Sequence, residues 1–339
     1  MVMPMHRDDW LALTPEGAIE PDLPILDPHH HLWERPGTRY ILQDIVADTA
    51  DHQVRQTVFI ECSAMYRAAG PDELKPVGET EFVQGVAAMS ASGGFGQTTI
   101  AAAIVGTADL SLGANVAAVL EAQIAASPQR FRGVRHRAAW PAREPISGEP
   151  ASAPHLLLED DFRRGFAQLR RYGLSFEAWT YHSNLPDVAD LAAAFPETTI
   201  ILNHLGGPVL GDDDPDTVFA GWKPDISAVA AHPNVVMKLG GIQMERNGFG
   251  WHERDEPPSS DELIEVNRPW YEHAMQEFGP DRCMFESNFP VDRASCSYTV
   301  LYNQFKKLCA GFPTDERIAM LHDTAARAYR LPLAAELDG

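Results

Sequence analysis

The chain has 339 residues, and 27 Lys and Arg against 48 Asp and Glu give a formal charge of −21. That balance excludes a nucleic-acid partner, because a phosphate backbone needs a basic surface to displace its counterions, and it excludes an anionic membrane surface. No apolar stretch reaches the ~20 residues of a membrane span, and MVMPMHRDDW lacks the apolar core of a signal peptide. Cys62, Cys283, Cys296 and Cys309 form no CxxC pair, so a reduced, cytoplasmic protein is expected.

In chain order, short apolar runs alternate with helical patterns. The strand candidates are Leu23–Asp27, Thr57–Cys62, Ile100–Val105, Phe131–Arg137, Leu174–Thr180, Thr198–His204, Asn234–Leu239 and Arg282–Ser287. Near-continuous apolar and β-branched runs suit parallel strands buried on both faces. Helices are predicted over Ala114–Ala126, Asp161–Tyr172, Asp187–Phe195, Asn267–Phe278 and Thr314–Tyr329. Each ends or begins at a breaker or cap: Ser127-Pro128, Gly173, Pro196, Gly279-Pro280 and Thr314. Strands alternating with helices in eight units predict an α/β fold, a closed (β/α)8 TIM barrel over residues 23–339 with an N-terminal extension at 1–22. No GxGxxG follows a strand, which argues against dinucleotide binding. Two connections are long, Ser63 to about Gly96 after strand 2 and Gly240 to Ser260 after strand 7, and both are expected to be binding loops.

The sharpest chemical feature is His29-His30-His31 at the end of the first strand. Alternation puts His29 and His31 on one side, at the barrel mouth where active sites sit. Two imidazoles there can bind a divalent metal or polarise a substrate oxygen. His182 follows the fifth strand and His204 ends the sixth, and both are expected to converge on the same mouth. Arg135 and Arg137 alternate at the end of the fourth strand, and Lys238 ends the seventh. Guanidinium groups pair with carboxylates in a bidentate fork, so this positive group in an acidic protein points to an anionic substrate. Trp33, Tyr66, Trp179, Tyr181 and Trp251 are candidate walls for a ring-shaped substrate, and His252 in the long loop could reach it.

The motifs ILDPHHHLW (Ile25–Trp33), FRGVRH (Phe131–His136), LNHLGGP (Leu202–Pro208), CMFESNFPVD (Cys283–Asp292) and TAARAYRL (Thr324–Leu331) resemble the amidohydrolase superfamily, and more narrowly the amidohydrolase-2 family. That family includes sugar-lactone and pyrone-dicarboxylate lactonases and related decarboxylases. The resemblance implies that His29, His31 and His182 are metal ligands and that His204 orients or polarises substrate. It implies a divalent metal, zinc or else manganese, although some members work without metal through arginines and histidines. A homodimer is a further implication.

Asn288 departs from the family, which usually carries an aspartate there as metal ligand and general base. An amide has no useful basicity near neutral pH. The base role then passes to His204, Asp292, Glu61 or Glu286, and Glu286 shares a strand face with Asn288. The expected activity is hydrolytic opening of a small anionic lactone, with catalytic groups His204, Asn288 and Glu286 and substrate contacts Arg135, Arg137, Lys238, Trp33, Tyr66 and Trp251. A metal-dependent aromatic decarboxylase and a non-catalytic ligand-binding barrel are the alternatives.

Overall fold

The computed structural model describes residues 7–141, 152–211 and 213–337. Eight parallel strands follow one another around a single sheet: β1 (Ile25–His30), β2 (Val54–Ile60), β3 (Thr99–Gly106), β4 (Phe131–Arg135), β5 (Ser175–Ala178), β6 (Ile200–Leu202), β7 (Val235–Gly240) and β8 (Cys283–Glu286). The predicted (β/α)8 barrel is the observed architecture. Helices form the outer layer, and the larger core lies between them and the strands. The stripe Phe162, Phe166 and Leu169 is fully buried, with the Phe166 ring 5.2 Å from Phe176 of β5. Burying each such side chain contributes about 1.5–3 kcal/mol.

Five helices escaped the sequence pattern, two of them the short Asp8–Leu11 and Leu42–Asp48. Val77–Ala91 occupies the second half of the stretch expected as one long loop, so the loop after β2 runs only to Pro76. Pro215–Ala230 starts on an Asp214 cap with Pro at its first position and continues through Pro224. Tyr298–Leu308 is capped by Ser297. Ser260–Phe278 begins seven residues before the predicted Asn267, on the Ser259–Glu262 capping box, and runs through Pro269. Internal prolines read as breakers in sequence, but packing of the apolar face outweighs their cost here.

A second core fills the barrel interior with Leu26, Val58, Ile60, Ala103, Val105, Ile201 and Met284, and Ala325, Ala326 and Tyr329 of the C-terminal helix plug it. Leu26 faces inward, so regular alternation would aim His30, not His29, at the interior. The β1–β2 register breaks between Asp27 and His30, and this bulge at Pro28 changes the parity. His30 instead meets Thr57, with its Nε2 2.8 Å from the Thr57 hydroxyl.

β1 and β8 share no regular ladder. Their seam is closed by one bridge, His30 to Phe289, by Asn288 N–H donating to His29 O at 2.9 Å and by His31 N–H donating to Phe289 O at 2.7 Å. Below these, the Asp27 carboxylate accepts from the Ser287 hydroxyl at 2.6 Å, Ser287 N–H at 3.0 Å, His29 N–H at 3.2 Å and Tyr298 OH at 3.2 Å. The barrel therefore closes through the residues that flank its chemistry.

Candidate active site

Glu286 is the centre of the site. It lies on the inward face of β8 between Met284 and Asn288 and is fully buried. Its Oε1 accepts from His204 Nδ1 at 2.7 Å and from the His204 backbone N–H at 3.1 Å. A carboxylate only accepts, so Nδ1 of His204 carries the proton and Nε2 keeps its lone pair. No hydrogen bond reaches that Nε2 among the described residues, and His204 lines the cavity at the barrel mouth. Burial holds the His204 ring below the usual histidine range, against the opposing pull of Glu286.

His204 sits with φ +55 and Asn288 with φ +54, both left-handed. Such backbone costs about 1–3 kcal/mol and is concentrated at functional sites. The His204 ring has its place because Gly241 follows β7: a Cβ on Gly241 would fall 1.8 Å from His204 Nδ1.

Glu286 Oε2 lies 2.6 Å from His29 Nδ1 and 4.0 Å from Lys238 Nζ. It is buried without a hydrogen-bond donor. His29 also meets Lys238 Nζ at 3.2 Å and Arg135 Nη1 at 3.4 Å. Burial, reinforced by Lys238, holds His29 well below the usual histidine range. His29, His204 and Glu286 offer ligand atoms that all lie within 4.8 Å of one another, so these three could hold a metal ion. Two imidazoles and a carboxylate are a sound donor set for a divalent cation, and the orphaned Oε2 supplies an acceptor that such an ion would satisfy.

The expected ligand set differs from this one. His31 faces the same cavity, 4.9 Å from His29 between ring centroids, but its Nδ1 donates to Ile60 O at 2.8 Å and its Nε2 lies 3.3 Å from Asn288 Oδ1. His182 is not brought to the group. β5 ends at Ala178, and His182 opens a separate 3-10 turn where its Nδ1 accepts from Val209 N–H at 3.2 Å. The predicted strand Leu174–Thr180 overruns the observed β5, and the side chains this stretch turns inward are Glu177 of β5 and Trp179 just beyond its end.

Of the candidate bases, Glu61 is taken by Arg135 Nε at 2.7 Å. Asp292 is fully buried, accepts from Asn288 Nδ2 at 2.8 Å and Gln243 N–H at 3.2 Å, and burial pushes it up to about 8. Lys238 corrects the sequence reading. It is fully buried beneath the site, pairs with Glu177 Oε2 at 2.8 Å, and does not line the cavity. Tyr329 OH and Asn203 hold the same Glu177 carboxylate. A cation on the inward face of a strand is set low in the barrel when an acidic partner faces it there, which no single strand reveals.

The cavity measures about 690 Å³, within the range of small-molecule sites. His31, Trp33, Tyr66, Arg135, Arg137, Trp179, His204 and Asn288 line it as expected, whereas Trp251, Tyr181 and His252 do not. Trp251 is buried within its own loop. The guanidinium carbons of Arg135, Arg137 and Arg246 lie 5.2, 4.1 and 5.3 Å from the Trp179 ring centroid, a cation–π arrangement. Arg35 and Arg246 were missed in the sequence. Arg35 follows the histidine run by four residues and Arg246 sits in the long β7 loop, so proximity to the motif and charge in that loop were the available signals.

A (β/α)8 barrel that brings two strand-end histidines and a third strand's carboxylate under a polar cavity is the architecture of a hydrolytic enzyme. The amidohydrolase family (Amidohydro_2) matches residues 26–331, and the chain belongs to it. The chain is 31% identical over 332 residues to the uncharacterized protein y4mH of Sinorhizobium fredii, covering 91% of this chain and 99% of that one. It is 28% identical over 322 residues to an L-fucono-1,5-lactonase of Burkholderia multivorans, covering 92% and 97%. In fold it matches a crystal structure of an amidohydrolase from Burkholderia multivorans with bound zinc, at a TM-score of 0.70 and 24% identity over 91% of this chain and 99% of that one. No helix among the described residues is long and apolar enough to cross a membrane.

Proposed function

We propose that the chain is a lactonase that opens a small, anionic cyclic ester. The observation that carries this reading is His204, whose Nδ1 is held by Glu286 while its Nε2 carries no hydrogen bond among the described residues and the residue lines the cavity. That is the arrangement of a general base with an orienting carboxylate. Glu286 thereby replaces the carboxylate that Asn288, two residues on and just past the end of β8, lacks. Relatives named as L-fucono-1,5-lactonase and L-rhamnono-gamma-lactonase support a lactone as substrate.

In this mechanism the ester carbonyl lies beside Arg135 and Arg137, which stabilise the oxyanion as it develops. His204 Nε2 takes a proton from water as the oxygen attacks the carbonyl carbon. The tetrahedral intermediate collapses, the ring C–O bond breaks, and the imidazolium returns its proton to the leaving alkoxide. The product is one hydroxy acid. Asn288 serves as a hydrogen-bonding group beside His31, and Trp33, Tyr66 and Trp179 form the walls. The guanidinium groups around Trp179 support a carboxylate on the substrate.

His29, His204 and Glu286 would hold a divalent ion, with zinc as our assignment, and a bound ion there supplies Lewis-acid polarisation and a more acidic water. Elemental analysis of freshly purified protein decides between the two forms. One equivalent of zinc per chain assigns the three donors to metal. Full turnover after chelation assigns proton transfer to His204 alone. The central test is His204→Ala, assayed as folded protein on a panel of neutral and carboxylated lactones. Loss of at least ~100-fold in kcat is expected for a general base, and full retention refutes the site. We also propose a cytoplasmic location, tested by cell fractionation, and a homodimer, tested by size-exclusion chromatography with light scattering.

A further inference from the structure

The β7 loop, Gly241 to Ser259, has two jobs in different halves. Its first half delivers Met244 and Arg246 to the cavity. Its second half contains little structure of its own, one short 3-10 turn at Trp251–Glu253 flanked by Gly248 and Gly250 at φ +87 and +71. Exposed backbone carbonyls in such a segment find partners on another part of the chain or in water.

The partners come from the far N-terminus. Arg7 Nη1 donates to His252 O at 2.8 Å and to Ala294 O at 3.3 Å. Trp10 Nε1 donates to Arg254 O at 3.1 Å and Asp255 O at 3.0 Å. Thr14 Oγ1 donates to Pro257 O at 2.8 Å. Glu16 accepts from Ser260 N–H at 2.7 Å and from the Ser260 hydroxyl at 2.8 Å. Four consecutive side-chain anchors thus track residues 252–260 in register. Arg7 stacks on Trp10, with its guanidinium carbon 3.7 Å from the ring centroid, which stiffens the pair.

The same segment is fixed to the barrel at its other end. Asn303 Nδ2 donates to Glu16 Oε2 at 2.8 Å and Gly17 O at 2.9 Å, and its Oδ1 accepts from Ile19 N–H at 2.8 Å. Lys306 Nζ donates to Ile19 O and Glu20 O, both at 2.8 Å. The segment therefore ties the β7 loop to the helix Tyr298–Leu308.

We propose that residues 7–20 are a positioning strap for the β7 loop, so that substrate affinity is set in part from the N-terminus through Arg246 and Met244. The proposal rests on the hydrolytic reading of the cavity. Arg7 and Trp10 act through the loop and touch no substrate.

The test is the double variant R7A/W10A, with Trp10→Phe as a milder change that removes the Nε1 donor and keeps an aromatic ring. Kinetics on a hydrolysed lactone are paired with amide hydrogen exchange across residues 248–256. For R7A/W10A, KM rises about fivefold while kcat stays within about twofold, the scale of one or two net hydrogen bonds lost from a binding element. Exchange in the loop becomes about tenfold faster, and W10F moves in the same direction by less. Faster exchange with an unchanged KM overturns the proposal, as does unchanged exchange. A parallel fall of kcat and melting temperature without a KM change marks a merely structural role and also overturns it. Absence of turnover in the parent protein on every lactone is a separate result, because it removes the hydrolytic reading itself and the strap's catalytic role with it.

Discussion

Glu286→Gln isolates the charge that the site invests in His204. Glutamine matches the carboxylate in size, so the barrel keeps its packing. With the amide oxygen at the Oε1 position, the bond to His204 Nδ1 survives as a neutral one, and the NH2 group is left against His29 and the Lys238 ammonium, 4.0 Å from Oε2. Turned the other way, NH2 opposes two donors of His204, its ring N–H and its backbone N–H. The first orientation is therefore favoured. A hydrogen bond to a charged group contributes about 1.5–3 kcal/mol and a neutral one about 0.5–1.5, so the difference is about 1–2 kcal/mol. That corresponds to a fall of roughly 5- to 30-fold in kcat, with KM little changed, because the charge matters when imidazolium forms. Acid release from the lactone, followed with a pH indicator on protein whose melting curve is cooperative, measures this. A kcat within about twofold of the parent would show that Glu286 does not support His204 and would refute the argument.

Three further outcomes follow from single contacts. Gly241→Ala puts a methyl 1.8 Å from His204 Nδ1 at a backbone φ of +65, so the ring must leave Glu286; kcat/KM drops by about 100-fold, the scale of a 1 Å misplacement, and steady-state kinetics on the purified variant check it. Lys238→Met removes the cation from a fully buried pair and leaves Glu177 uncompensated, so chemical denaturation should show a loss of about 3–5 kcal/mol. Glu79 is fully buried and burial pushes it up to about 8, with Glu61 adding to the rise. A carboxyl raised above its unfolded value favours folding below about pH 4.5, and that contribution is lost as pH climbs towards 8. Glu79→Gln keeps an acceptor for the Cys62 and Ala64 N–H groups and cannot ionise, so its melting temperature should fall less between pH 6 and 9 than the parent's; parallel curves would contradict this.

Much of the barrel was legible because burial on both faces leaves a local mark. All eight strands overlap runs picked out by apolar, β-branched or alternating patterns, and the outer stripe Phe162–Phe166–Leu169 reads as a helix face. The strand-end residues His29, His31, His204, Arg135, Arg137 and Asn288 were legible for the same reason, since β strands end at the mouth. Five helices were not, and in Pro215–Ala230 the reason is visible: Pro224 resembles a breaker in sequence, and only packing against the neighbouring helices shows that it is tolerated.

By itself, then, the chain's sequence determined the architecture and the histidines and arginines at the strand ends, because each depends on residue type and short-range periodicity, while the asparagine in place of an aspartate was legible only through the family resemblance. Tertiary structure alone decided which side chains meet. The Pro28 bulge turns His29 inward, the end of β5 at Ala178 leaves His182 aside, Glu177 draws Lys238 beneath the cavity, and Glu286 reaches His29 and His204 together. These outcomes depend on strand register and on partners up to hundreds of residues apart, where one shifted residue exchanges the inner and outer faces. The charge of −21 is likewise a total that says nothing of place. The fold concentrates Arg35, Arg135, Arg137 and Arg246 at one cavity, a local positive field that the overall composition conceals.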